Sequence, residues 1–225
     1  MKCSLFLSEI LHTFYDKNRM GKHAKSIDSQ ILQRVKTSGR GWVFTASNFL
    51  DLGSRDAVDK TLSRQSQGGI IRKLARGLYD YPRRDPQLGL LSPAIAAIAK
   101  ALQGRDAVRL QPSGAYAANL LGLSDQVPMK IVFLTDGSPR RIQLGKLQIV
   151  LKRTTPRNMA TAGKISGLVI QAFRHLGQRH VDDSVLATLR RRLSPADKRQ
   201  LLKDFRFAAG WIARFMRQVA ETSKK

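Results

Sequence analysis

The stretch His175-Leu176-Gly177-Gln178-Arg179-His180-Val181-Asp182-Asp183 brings together two imidazoles and two carboxylates, side chains that bind metals and move protons. Its spacing argues against both uses. Histidines five apart do not share a helical face, and Gly177 is expected to end the helix between them. Asp182 and Asp183 stand where a new helix should start and suit N-capping. Ser113-Gly114-Ala115-Tyr116 offers a hydroxyl, but no base lies nearby in sequence, and a serine after Pro112 serves more economically as a cap. Asp125 and Asp136 are single carboxylates beside turn signals. There is no glycine-rich phosphate cradle and no paired-acid spacing. The expectation is a protein that is not an enzyme and has no catalytic residues, metal or cofactor.

The chemistry the chain does offer is cationic. Its 225 residues hold 40 Lys and Arg against 16 Asp and Glu, a formal charge of +24. A balance this basic favours polyanions, nucleic acid first and an anionic membrane surface second. Residues 91–225 carry 24 of these cations against 8 acids. Two clusters stand out there: Lys152, Arg153 and Arg157, and the run Arg190-Arg191-Arg192. Each has two readings, contact with flanking DNA, RNA or an acidic partner, or a merely solvated surface. Cys3 is the only cysteine, which excludes an intrachain disulfide and a cysteine zinc site and points to the reducing cytoplasm. No apolar run approaches the roughly 20 residues of a membrane helix.

The elements that must position these cations follow from periodicity and punctuation. Ile27, Ile31, Leu32 and Val35 recur at helical spacing, with Ser26 or Asp28 as cap and Gly39 as stop. Trp42-Val43-Phe44 is a short apolar piece. A second helix is expected from Thr45 to Leu52, closed by Gly53, and a third from the cap Ser54 to Gly68. A hairpin pairs Ile70–Leu74 with Leu78–Tyr81 around Ala75-Arg76-Gly77. Residues 83–92 read as a linker or wrap-around loop. Beyond it come helices at 93–103 and 113–121, strands at 109–112, 130–134, 141–144 and 147–151, and helices at 166–176, 181–193 and 195–221, the last broken near Asp204. Asp136-Gly137 and Gly145 mark turns. The expected fold class is α+β: an N-terminal winged helix-turn-helix at 26–83, then an α/β domain at 84–225 with a small antiparallel sheet and C-terminal helices. Residues 1–25 read as a poorly ordered extension, with translation from Met20 as an alternative. In the last helix Phe205, Ala208, Ile212, Phe215 and Val219 form a stripe that packs onto its own domain or makes a homodimer seam.

A helix-turn-helix lays its second helix in the major groove. On the helix after Ser54, Val58 and Leu62 point inward, while Arg55, Lys60, Ser63, Arg64 and Gln67 can reach bases or phosphates. Ser54 and the helix start offer donors to a phosphate. In the hairpin, Arg72, Lys73 and Arg76 are expected to grip the backbone. Gln65 is out of place, because its spacing from Leu62 points it at the core.

Three stretches resemble the AbiEi-type antitoxin and transcriptional-regulator family. They are Trp42 to Arg64 with Arg76-Gly77-Leu78-Tyr79-Asp80-Tyr81-Pro82, then Leu110-Gln111-Pro112-Ser113-Gly114-Ala115-Tyr116 on to Leu123, and Arg153-Thr154-Thr155-Pro156-Arg157-Asn158-Met159. The resemblance implies an N-terminal winged helix that represses its own promoter at inverted repeats. It also implies a second domain that counteracts a nucleotidyltransferase-type toxin, as in type IV toxin–antitoxin pairs. Gln65 and Ser66 depart from that family's apolar pattern. The alternatives are a stand-alone regulator without a toxin, an RNA-binding protein, and an enzyme acting on nucleic acid.

Overall fold

The computed structural model describes residues 26–221, so the expected extension at 1–25 and the last four residues lie outside it. The chain is mixed α+β and divides into two compact units, one ending at Arg105 and the other starting at Asp106. The sequence reading placed its division at 83/84. The first unit runs further because helix α3 (Ile95–Asp106), which buries Ile98 and Leu102, falls almost wholly within it.

In the first unit, α1 (Ile27–Ser38) starts at Ser26, whose hydroxyl accepts from the Ser29 amide at 3.2 Å. A two-residue strand, β1 (Val43–Phe44), leads to a single 3-10 turn at Ala46–Phe49. A longer helix was expected there. The Asn48 side chain instead closes the turn by accepting from the Thr45 amide at 2.9 Å, and Arg34 on α1 clamps its end by bonding the Asn48 carbonyl and both Asp51 oxygens. Helix α2 (Arg55–Gln67) follows its Ser54 cap. Strands β2 (Arg72–Ala75) and β3 (Leu78–Asp80) form the hairpin, and β1 joins it to give a three-stranded antiparallel sheet in the order β1-β3-β2. Its core joins Ile31, Val35, Val58 and Leu62 to an aromatic group of Phe44, Phe49 and Tyr79, with Trp42 tilted against Phe44 at the rim. Residues 83–92 are not a plain linker. They form a second hairpin, β4 (Arg84–Asp85) with β5 (Gly89–Leu90), turned by the Asp85 carboxylate, which accepts from the Gln87 and Leu88 amides.

The second unit begins with β6 (Leu110–Ser113) and α4 (Gly114–Leu120). Then come β7 (Lys130–Thr135), β8 (Arg140–Leu144) and β9 (Leu147–Arg153). The sheet order is β6-β7-β9-β8, antiparallel in both outer pairs and parallel between β7 and β9. The Asp136-Gly137 turn therefore does not join neighbours; residues 136–139 carry the chain past β9 to the far edge. Five helical pieces complete the unit: the short α5 (Pro156–Met159), α6 (Ile165–Leu176), α7 (Asp183–Arg192), α8 (Pro195–Asp204) and α9 (Gly210–Ala220). The break expected near Asp204 is there. Burial alone would oppose ionisation of the Asp204 carboxyl. Hydrogen bonds from Ser166 and Gln200 and the Lys164 ammonium outweigh it and hold that group below the usual carboxylate range. The last helix's stripe packs inward: Ala208, Ile212, Met216 and Val219 are buried in one cluster with Val169, Phe173, Leu186 and Leu201, and Phe205, Trp211 and Phe215 lean on it.

Candidate nucleic-acid interface

Helix α2 buries only Val58, Thr61 and Leu62. Arg55, Lys60, Ser63, Arg64 and Gln67 are all exposed. Gln65 is half-buried, at the core's rim, where its carbonyl accepts from the Ile70 amide as the chain leaves the helix. Ser54 is occupied as a cap, accepting from the Ala57 amide at 3.3 Å. Two of the helix cations have acidic neighbours. Arg55 pairs with Asp59 one turn on at 2.8 Å, and Arg64 reaches back to Asp28 on α1 at 2.7 Å. The Arg64 side chain nevertheless stays 63% exposed. Pairs this wet are worth at most about 1 kcal/mol, so a phosphate can take over either guanidinium.

The hairpin cations differ more. Lys73, on the edge strand β2, and Arg76, at the Gly77 turn, are exposed. Arg72, expected to grip a nucleic-acid backbone, is committed inside the unit. It stands opposite Asp80 in register, bonds both its oxygens at 3.0 and 2.6 Å, and donates to the Leu91 carbonyl at 2.8 Å. One guanidinium thus ties the first hairpin to the second. Near it, burial first and the Asp59 charge second push the Tyr79 hydroxyl upward, which marks the closeness of β3 to α2.

The second unit treats its clusters unevenly. Lys152 and Arg153 are exposed and line a groove on the sheet with Lys130, Arg140 and Arg141, none of which the sequence reading singled out. Alternation along the strands was the available signal: Lys130 and Val132 on β7 share a face, as do Val150 and Lys152 on β9. Arg157 instead lies by Arg174, whose guanidinium burial, and then the Arg157 charge, push down. Arg190 donates twice to the Gln218 carbonyl, while Arg191 and Arg192 are both exposed, the Arg192 guanidinium lying against Gly122. In the histidine stretch, His180 bonds the Leu176 carbonyl and Asp182 caps α7 through the Val185 amide and the Ser184 hydroxyl. Ser113 begins α4, but its hydroxyl donates to Gln171. Among the described residues, no three His, Cys, Asp or Glu side chains gather as metal ligands, and no helix is long and apolar enough to cross a membrane.

Fold and surface together define a two-unit α+β protein with a polar helix and basic hairpin in one unit and a cation-lined sheet in the other. The chain belongs to DUF6088, a family of unknown function, which it matches over residues 30–201. That match starts within α1 and ends within α8, so it takes in both units. No curated protein matches the sequence.

Proposed function

We propose that the chain is a sequence-specific, double-stranded-DNA-binding regulator and that its first unit is a winged helix-turn-helix. In this reading α2 is the recognition helix and the β2–β3 hairpin is the wing. The carrying observation is the division of labour on α2: three buried positions hold it, and Arg55, Lys60, Ser63, Arg64 and Gln67 face outward, followed directly by a hairpin bearing Lys73 and Arg76. The operator is an inverted repeat in the chain's own promoter, and repression is by occlusion. The resemblance to AbiEi-type antitoxins extends the proposal to a second role, counteracting a nucleotidyltransferase-type toxin encoded next to it, in the cytoplasm. What supports this half is that the similar stretches fall on β6–α4 and on the end of β9 with α5.

The test is a gel shift on the chain's own upstream DNA with random DNA as competitor. Preference for the upstream fragment is expected, and equal affinity for both would end the regulatory reading. Co-expression with the adjacent gene tests the antitoxin half by rescue of growth. Two variants refine the footprint. Arg64→Ala is expected to lose about 1–3 kcal/mol on operator DNA with a smaller loss on random DNA. Its stability should change by about 1 kcal/mol or less, because the Arg64 side of the Asp28 pair is 63% exposed. Lys73→Ala is expected to weaken both DNAs alike and to flatten the salt dependence by about one unit; an unaltered slope takes the wing out of the interface.

A further inference from the structure

The DNA reading leaves the sheet of the second unit unused. Strand register places Ser113, Val132, Val150 and Arg141 in one row across it. The flanking rows put Lys152 beside Leu134 and Lys130 beside Gln148 on the same face. Lys130, Arg141 and Lys152 thus ring two half-buried valines, and Pro139, Arg140, Leu151 and Arg153 complete a groove of about 580 Å3, room for a few side chains. Among the described residues, no acid lines it. Between residues 126 and 160 there are seven Lys and Arg and one acid, Asp136. That acid is already spent on Arg109, accepting from its backbone amide at 2.9 Å and its guanidinium at 2.8 Å.

We infer that this face docks an acidic, apolar-sided segment of a partner protein. The inference stands on the second unit alone. Charge complementarity requires carboxylates from the partner, and the valine floor requires aliphatic side chains between them, since burying such groups is what an apolar floor rewards. Nucleic acid fits less well. None of the groove's lining residues is aromatic, and ring stacking is what holds single strands. A duplex backbone rewards cations and hydrogen-bond donors but gains nothing from valines.

The experiment uses the full chain and fluorescence anisotropy at about 150 mM salt. The probe is a labelled helical peptide of glutamates with leucines along one side, and its control replaces every leucine by serine at equal charge. The leucine peptide is expected to bind at least about tenfold more tightly than the control. Lys130→Gln/Arg141→Gln/Lys152→Gln is expected to lose about tenfold on that peptide while operator DNA and a hairpin RNA change by less than about twofold. If the triple variant melts early, Arg141→Gln alone, at an exposed edge-strand position, reads the same loss at about threefold. Equal binding of the two peptides overturns the inference, as does an unaffected variant. A parallel loss on RNA or DNA also overturns it, because the surface would then serve nucleic acid. Wing variants such as Lys73→Ala leave peptide binding untouched, so failure here and failure of the DNA reading are told apart.

Discussion

Arg72→Ala should destabilise the first unit by about 3 kcal/mol, although it removes a charge from a protein with a large excess of that sign. Asp80 is 1% exposed and its carboxylate rests on the Arg72 guanidinium. Taking the guanidinium away leaves a buried negative charge with no counter-charge, a loss of about 3–5 kcal/mol when both partners are deep. The Arg72 side chain is 28% exposed, so water moderates the loss and places it at the lower end. The Leu91 carbonyl loses its donor too, which loosens the second hairpin. In a unit of this size the melting temperature should fall by roughly 10–20 °C. Arg72→Lys keeps the charge but not the two-pronged geometry and should recover only part of it. Asp80→Ala should cost less, because the guanidinium left behind can turn to water. An unfolding free energy from urea titration that falls by less than about 1 kcal/mol in Arg72→Ala would refute the account. At temperatures where the variant stays folded, its salt slope on DNA should match wild type, in contrast to Lys73→Ala.

Gly167→Ala should also be destabilising, and for a reason of space alone. A Cβ at this position in α6 would run into the Thr161 carbonyl oxygen and lie 2.6 Å from Gln111 Oε1. The first obstacle is backbone, and that oxygen already accepts from the Lys164 amide at 3.2 Å, so it cannot swing aside. Alanine gains up to about 1 kcal/mol over glycine in helix propensity. Overpacking against a fixed atom costs up to about 3 kcal/mol or more, so the net sign is destabilising. Gly104 in α3 is the matched control, because a Cβ there meets nothing within 4 Å. Gly104→Ala should stabilise by about 0.5–1 kcal/mol. If both variants move stability in the same direction, packing at Gly167 is not what decides.

Much of the first unit is legible in the sequence, because its signals are local. Ser26 and Gly39 bracket α1, and Ser54 and Gly68 bracket α2, each within a residue of the punctuation. The apolar side chains around the 46–49 turn obey a helical period and so point to a longer helix; the Asn48 side chain that closes the turn is a detail of geometry. The β4–β5 hairpin was missed since its strands are two residues each and its turn depends on one carboxylate. Pairings distant along the chain were the least legible. Asp28 lies 36 residues before Arg64, and nothing in either neighbourhood announces their meeting. Arg72 and Asp80 could have been matched from the hairpin register, had the strand ends been placed correctly. The parallel β7–β9 pair defeated local reading altogether, since a turn signal after β7 suggests the next strand as its neighbour and is silent about the one after.

That strand order also constrains how the molecule comes together. β8 and β9 meet across a two-residue turn, so that pair is expected to form early, whereas the β7–β9 pair joins segments further apart along the chain and is expected to close later. Lys130 arrives with the late strand, and Arg141 and Lys152 with the early pair. In that order the closure of β7 on β9 brings like charges together, and added electrolyte is expected to hasten it by damping their repulsion. A nascent or half-formed chain does not yet own the cationic ring, which exists only in molecules that have finished folding.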